Sequence, residues 1–232
     1  MYFSRLTTVY RNLITKKKYN KGGADHVRAM NKKNRIATLF WSVIVVAALW
    51  YSSVVRIYKN FHEVDPGKFY RSAQLTPEEL KEMVKNLGIK TVINLRGEQP
   101  DSYWYNDELK AANEVGVRLV SVGFNSKEIN AKEAIIEYLE TLKTAERPIL
   151  VHCRSGADRA GEASALYMIE YMGKTKEQAL EQLTWKYLHV PFFNPGKTYF
   201  IDIYKGLEWV KAVYDPCVEP FKNQYDLKHC PK

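Results

Sequence analysis

The sequence is poor in cysteine, and poor in acid where it is most basic. Three cysteines stand in 232 residues, two of them, Cys217 and Cys230, in a short proline-containing tail. That leaves no cluster with metal-ligand spacing, and no motif calls for a cofactor. Internal repeats and low-complexity linkers are also absent. Residues 1–36 hold ten Lys/Arg and one Asp, leaving 25 basic and 25 acidic residues for everything that follows. The whole formal excess of +9 is therefore N-terminal.

Charge then disappears. From Ile36 to Val55 twenty residues carry none, and at about 1.5 Å per residue they match the ~30 Å hydrocarbon layer of a bilayer. Trp41, Trp50 and Tyr51 sit where an interfacial belt would be, and Lys32, Lys33 and Arg35 precede the run, with Lys16 to Lys18 further back. Only Arg56 and Lys59 follow it closely. This asymmetry predicts a single-pass anchor with a cytoplasmic N-terminus and an extracytoplasmic, periplasmic domain. The compact basic string after Met30 also fits a start at that methionine, where the segment would resemble a signal peptide; without a small-residue cleavage site an uncleaved anchor is expected. Few aromatics interleave the basic arm, so no nucleic-acid partner is expected.

Four parts follow from these shifts: a basic arm over 1–35, a transmembrane helix over 36–55, a catalytic domain over 60–214 and a tail over 215–232. Within the domain, strand and helix patterns alternate. The expected strands are Phe69–Arg71, Thr91–Leu95, Val117–Val122 and Ile149–His152. The expected helices run from the Thr76-Pro77-Glu78-Glu79 cap to Gly88, over Asn106–Val115, Asn130–Thr144, Gly161–Met172, Glu177–Leu183 and Tyr199–Tyr214. Such alternation predicts an α/β fold, a parallel-rich sheet flanked by helices.

The most informative stretch is Ile149 to Gly161, where an apolar strand breaks into Cys153-Arg154-Ser155-Gly156-Ala157-Asp158-Arg159 and resumes as a helix. A loop closing onto a helix N-terminus offers unpaired amides and the positive end of the helix dipole, a seat for phosphate. Cys153 in that field, beside Arg154 and Arg159, favours its nucleophilic thiolate form. Arg159 presents a planar fork that lysine lacks. The alternative, an inert buried thiol, fits poorly with two arginines, a glycine and an acid crowded into six residues. His152 either tunes the thiolate or satisfies a backbone group.

His152-Cys153 through Gly156 to Arg159 resembles the HC-x-x-G-x-x-R signature of cysteine-dependent protein tyrosine and dual-specificity phosphatases. Phe69 to Gln74 and Gly88 to Arg96 resemble the opening elements of bacterial dual-specificity-like members, so the likeness covers about residues 60–190. The resemblance implies a phosphocysteine mechanism: Cys153 attacks phosphorus, the amides of Arg154 to Ala157 and the Arg159 fork hold the phosphoryl oxygens, and an Asp protonates the leaving group. Two positions depart from the pattern. Ala160 replaces the usual Ser or Thr, which implies slow turnover, and Gly123 to Glu128 lacks the usual acid. Asp158 is the favoured substitute, with Asp101 and Glu128 as alternatives.

Phosphorylated proteins and phospholipids both fit as substrates. A phosphate-binding pseudoenzyme is the second reading and a sulfurtransferase the third, since the latter would not need Arg159 in this register. Cys217 and Cys230 are expected to form a disulfide in an oxidising exterior.

Overall fold

The computed structural model describes residues 34–230; the basic arm through Lys33, with Met30, lies outside them. One unit ends at Tyr51, and a compact second unit runs from Ser52. Helix α1 spans Asn34–Arg56 and is long and apolar enough to cross a membrane. Its apolar side chains, Leu39, Trp41 and Val46 among them, are exposed.

Five strands form one sheet in the order β1-β2-β5-β3-β4, with β1 His62–Asp65, β2 Phe69–Ser72, β3 Thr91–Asn94, β4 Arg118–Ser121 and β5 Ile149–His152. Only β1 runs antiparallel to its neighbour; β2, β5, β3 and β4 are mutually parallel. β5 is central, its His152 flanked by Ser72 on one side and Asn94 on the other. Every residue of β2, β3 and β5 is buried, and β3 and β5 accordingly read as β-rich, largely apolar runs. Val92, Leu150 and Tyr70 pack toward α2 (Pro77–Leu87) and α3 (Tyr103–Val115) through Leu80, Ala111 and Ala112. Ile93, Val151 and Phe69 pack on the opposite face against Ile135, Tyr138, Leu166 and Phe200. Those residues belong to α4 (Lys132–Thr144), α5 (Asp158–Met172) and α7 (Pro195–Ile203). Short α6 (Lys176–Leu180) and α8 (Leu207–Ala212) complete the set.

Local chemistry explains the clearest boundaries. Thr76 Oγ1 accepts from the Glu79 amide while Glu79 accepts from the Thr76 amide, and Gly88 ends α2 in the left-handed region. Three expectations are corrected. The helix expected over Tyr199–Tyr214 is two, parted at Tyr204 to Gly206, where Gly206 takes φ 99°. Helix α5 begins at Asp158, three residues before Gly161, so Arg159 stands in its first turn. Strand β1 was not expected at all; its polar sequence His-Glu-Val-Asp suits the half-exposed edge it occupies.

Candidate active site

Strand β5 ends at His152, and Cys153, 2% exposed, is the first residue beyond it. The chain then turns through Arg154, Ser155, Gly156 and Ala157 into α5. Gly156 takes φ +68°, and a Cβ there would lie 2.6 Å from the Ala73 amide nitrogen. Glycine alone fits this approach.

Every carbonyl along the back of this turn is taken. Asn60 Nδ2 donates to Ser155 O at 3.1 Å, and Arg71 Nη2 donates to Gly156 O at 2.7 Å and Ala157 O at 3.0 Å. Arg71 is fully buried; its Nη1 is held by Gln182 O and Oε1, and its guanidinium lies 4.5 Å from the centre of the Tyr187 ring. Burial lowers its pKa to about 10, offset first by Cys153. Asn60 also donates to Tyr187 O and meets His62 Nε2 at 3.1 Å. With the carbonyls bound from behind, the amides of Arg154, Ser155, Gly156 and Ala157 have no partner among the described residues. Four such donors at a helix start form an oxyanion cradle.

The neighbouring strands supply the walls. Gln74, two residues past β2, donates its amide to Arg154 O at 3.4 Å, and Arg96, two residues past β3, donates Nη1 to Gln74 Oε1 at 3.0 Å. Gln74 Nε2 donates to Glu108 Oε1, which lies 2.7 Å from His152 Nε2, an ion-pair distance without hydrogen-bond alignment. Both members of that last contact are buried. His152 thus lies beside the chain of side chains that ends at Arg96, with neither ring nitrogen hydrogen-bonded among the described residues.

Asp158 sits at the opening of α5 with Oδ1 accepting from His189 Nδ1 at 2.7 Å and Asn194 Nδ2 at 2.9 Å. Its side chain keeps 21% exposure, and Oδ2 has no partner among the described residues. The other acid candidates are placed elsewhere. Asp101 lies in an exposed turn before α3. Glu128 Oε2 is engaged by Asn125 Nδ2 and the Asp226 amide. Asn125 closes on itself, its Oδ1 accepting from the amides of Lys127 and Glu128. Cys217 and Cys230 are disulfide-linked, with Cα atoms 5.7 Å apart. No group of metal-ligating side chains occurs among the described residues.

Comparison with known proteins settles the family. The family described as "DSP-PTPase phosphatase fused to NAD+ Kinase" matches residues 51–189, more than half of the chain. The chain belongs to this family of cysteine-dependent, dual-specificity-like phosphatases. It is 30% identical over 126 residues to the dual specificity protein phosphatase TpbA of Pseudomonas aeruginosa, a match covering 53% of each chain. It thus spans about half the length of the curated relatives it matches. The fold is also that of the crystal structure of P. aeruginosa TpbA, with TM-score 0.52, 21% identity, and 68% of this chain and 91% of that one covered. The core catalytic domain of the PP-IP phosphatase SIW14 from S. cerevisiae gives TM-score 0.53 and 22% identity over 66% of this chain and 89% of that one.

The structure brings Cys153, Arg154, Ser155, Gly156, Ala157, Asp158 and Arg159 together in one turn and the first helical turn after it. Arg71, Asn60, Gln74, Arg96 and Glu108 escaped the sequence reading as site residues. One signal was available: an arginine beside the apolar Phe69-Tyr70 pair of a strand stands where a buried charge must find hydrogen-bond partners.

Proposed function

We propose that this protein hydrolyses phosphomonoesters through a phosphocysteine intermediate while anchored to a membrane by α1. The observation that carries the reading is the set of four unpartnered loop amides around Cys153, whose carbonyls are bound from behind by Asn60 and Arg71. The amides and the Arg159 fork bind the three non-bridging oxygens. The Cys153 thiolate attacks phosphorus, the P–O bond to the leaving group breaks, and Asp158 Oδ2 delivers the proton that the departing oxygen needs. Water then attacks phosphorus, its proton returns to Asp158, and thiolate and inorganic phosphate are regenerated. His189 and Asn194 fix Oδ1 and so aim Oδ2. Ala160, fully buried where relatives of this motif carry a hydroxyl, makes this second step the slower one.

The charge asymmetry around α1 supports an N-in anchor with the domain outside the cytoplasm, where the Cys217–Cys230 link would persist. A reporter fused after Lys232 should be active only if it folds outside; a cytoplasmic-only signal overturns that topology. The activity is tested by phosphate release from phosphopeptides, inositol phosphates and phosphatidylglycerol phosphate. Wild type should release phosphate from at least one class and Cys153→Ser from none. Retained hydrolysis in the mutant refutes the mechanism, and phosphate-analogue binding without turnover by wild type selects the pseudoenzyme.

A further inference from the structure

Arg96 has a position and a bonding pattern that one bound phosphoryl group leaves unused. Leu95 donates its amide to His152 O at 2.9 Å, one residue past the β3–β5 pairing, so Arg96 follows directly on the strand beside the one that delivers Cys153. Its backbone is pinned on both sides: its amide donates to Asn94 Oδ1 at 2.8 Å, and it pairs with Gly123 across an isolated antiparallel bridge. Its guanidinium lies 3.3 Å from the centre of the Trp104 ring and is tied at Nη1 to Gln74, whose own backbone is bonded to the phosphate loop. The side chain is therefore immobilised at the rim, yet the N–H donors on Nε and Nη2 have no partner among the described residues. Burial lowers its pKa, and Arg159 and Arg154 lower it further, which places three cations in mutual range. Among the described residues none of the three has a carboxylate within 4.0 Å. Arg71 is already committed to the loop's carbonyls and to Gln182.

A stacked, half-buried guanidinium with an open two-donor edge is built to receive oxyanions in a planar fork. We infer that Arg96, presented by Gln74 and Trp104, is a second anion subsite beside the phosphate loop, selecting phosphomonoesters that carry a second phosphate a few bonds from the first. The inference rests on the phosphatase reading of the loop. The scissile phosphate occupies the amides and Arg159, and the second phosphate reaches the Arg96 fork one strand away.

The test uses the full chain in detergent and matched pairs of soluble esters: the mono- and bisphosphates of ethane-1,2-diol, propane-1,3-diol and butane-1,4-diol. For at least one spacing, wild type should show a KM for the bisphosphate about tenfold below that for the monophosphate, beyond the twofold statistical factor. Arg96→Gln should erase that ratio. Arg96→Lys should retain part of it through charge without the fork. Absence of preference at every spacing, or a preference that survives Arg96→Gln, overturns the inference. Hydrolysis of none of these esters or of nitrophenyl phosphate by wild type would instead fail the phosphatase reading. Calorimetric binding of the bisphosphates to Cys153→Ser, with and without Arg96→Gln, decides the subsite in that event. About tenfold weaker binding in the double variant upholds it, and equal binding overturns it.

Discussion

Two regions flank the nucleophile and they are built differently. The loop from Cys153 to Ala157 is held by residues 80 to 95 positions away in sequence, Asn60, Arg71 and Gln74, all on the β2 side of the sheet. Their bonds leave its amides free. The segment after β4, where the motif resemblance leads one to expect a proton donor, is closed instead. Asn125 satisfies its own turn, Glu128 is bonded to the tail at Asp226, and Asn130 is bonded to the buried Glu162–Lys197 pair. One region is tied down so that it presents donors outward. The other is bonded to itself, to the tail and to the core, and the proposed mechanism therefore assigns proton transfer to Asp158 on the loop's own helix.

The contrast breaks most sharply at Arg159. Arg159→Lys replaces a bidentate fork by a point charge and should lower kcat/KM about 10³-fold, roughly 4 kcal/mol of transition-state stabilisation. A loss below tenfold would mean that the amides alone hold the phosphoryl group. Arg71→Met comes next. It strips the partner from Gly156 O, leaves Ala157 O with the Gly161 amide alone, and should cost about 10²-fold in kcat/KM. Asn125→Ala, on the closed segment, should cost less than threefold. Equal losses would erase the distinction between the two regions.

Asp158→Asn sharpens it. Hydrolysis of an alkyl phosphate, whose leaving group needs a proton, should fall about 10²-fold, while nitrophenyl phosphate, whose phenolate leaves unaided, changes less than threefold. Equal losses on both would mark Asp158 as a residue that shapes the loop through His189 and Asn194.

A smaller effect lies in pH-dependent stability. Burial, then Arg71 and Lys186, lowers the His62 pKa to about 4 from its ordinary 6.5. Between those values the unfolded chain binds a proton that the folded one refuses, so the stability due to neutral His62 is full above pH 6.5 and is lost as pH falls toward 4. Denaturant titrations at pH 7 and pH 4 should show a larger drop for wild type than for His62→Asn. Parallel drops would show that His62 titrates normally.

These regions also differ in how far the sequence reveals them. Cys153, Gly156 and Arg159 are legible because their chemistry lies within seven consecutive residues. The Thr76 capping box and the β-rich Thr91 and Ile149 runs are legible for the same reason: the determinants are local. Arg71 and Arg96 are not, because each acts on the loop from an adjacent strand, and strand order is not written in any short stretch. The break of the last helix at Gly206 was missed because the apolar pattern continues across it, carried by Tyr204, Leu207 and Val210, which are all buried. Strand β1 was missed because an edge strand needs little apolar surface.

The central claim is covalent transfer to Cys153, and acid-quenched turnover tests it most directly. With nitrophenyl phosphate, wild type should release a burst of nitrophenolate close to one equivalent of enzyme if, as proposed, Ala160 slows breakdown of the intermediate, and mass spectrometry should locate one phosphoryl group on Cys153. Turnover with Cys153 unmodified, or hydrolysis undiminished in Cys153→Ser, would contradict the account.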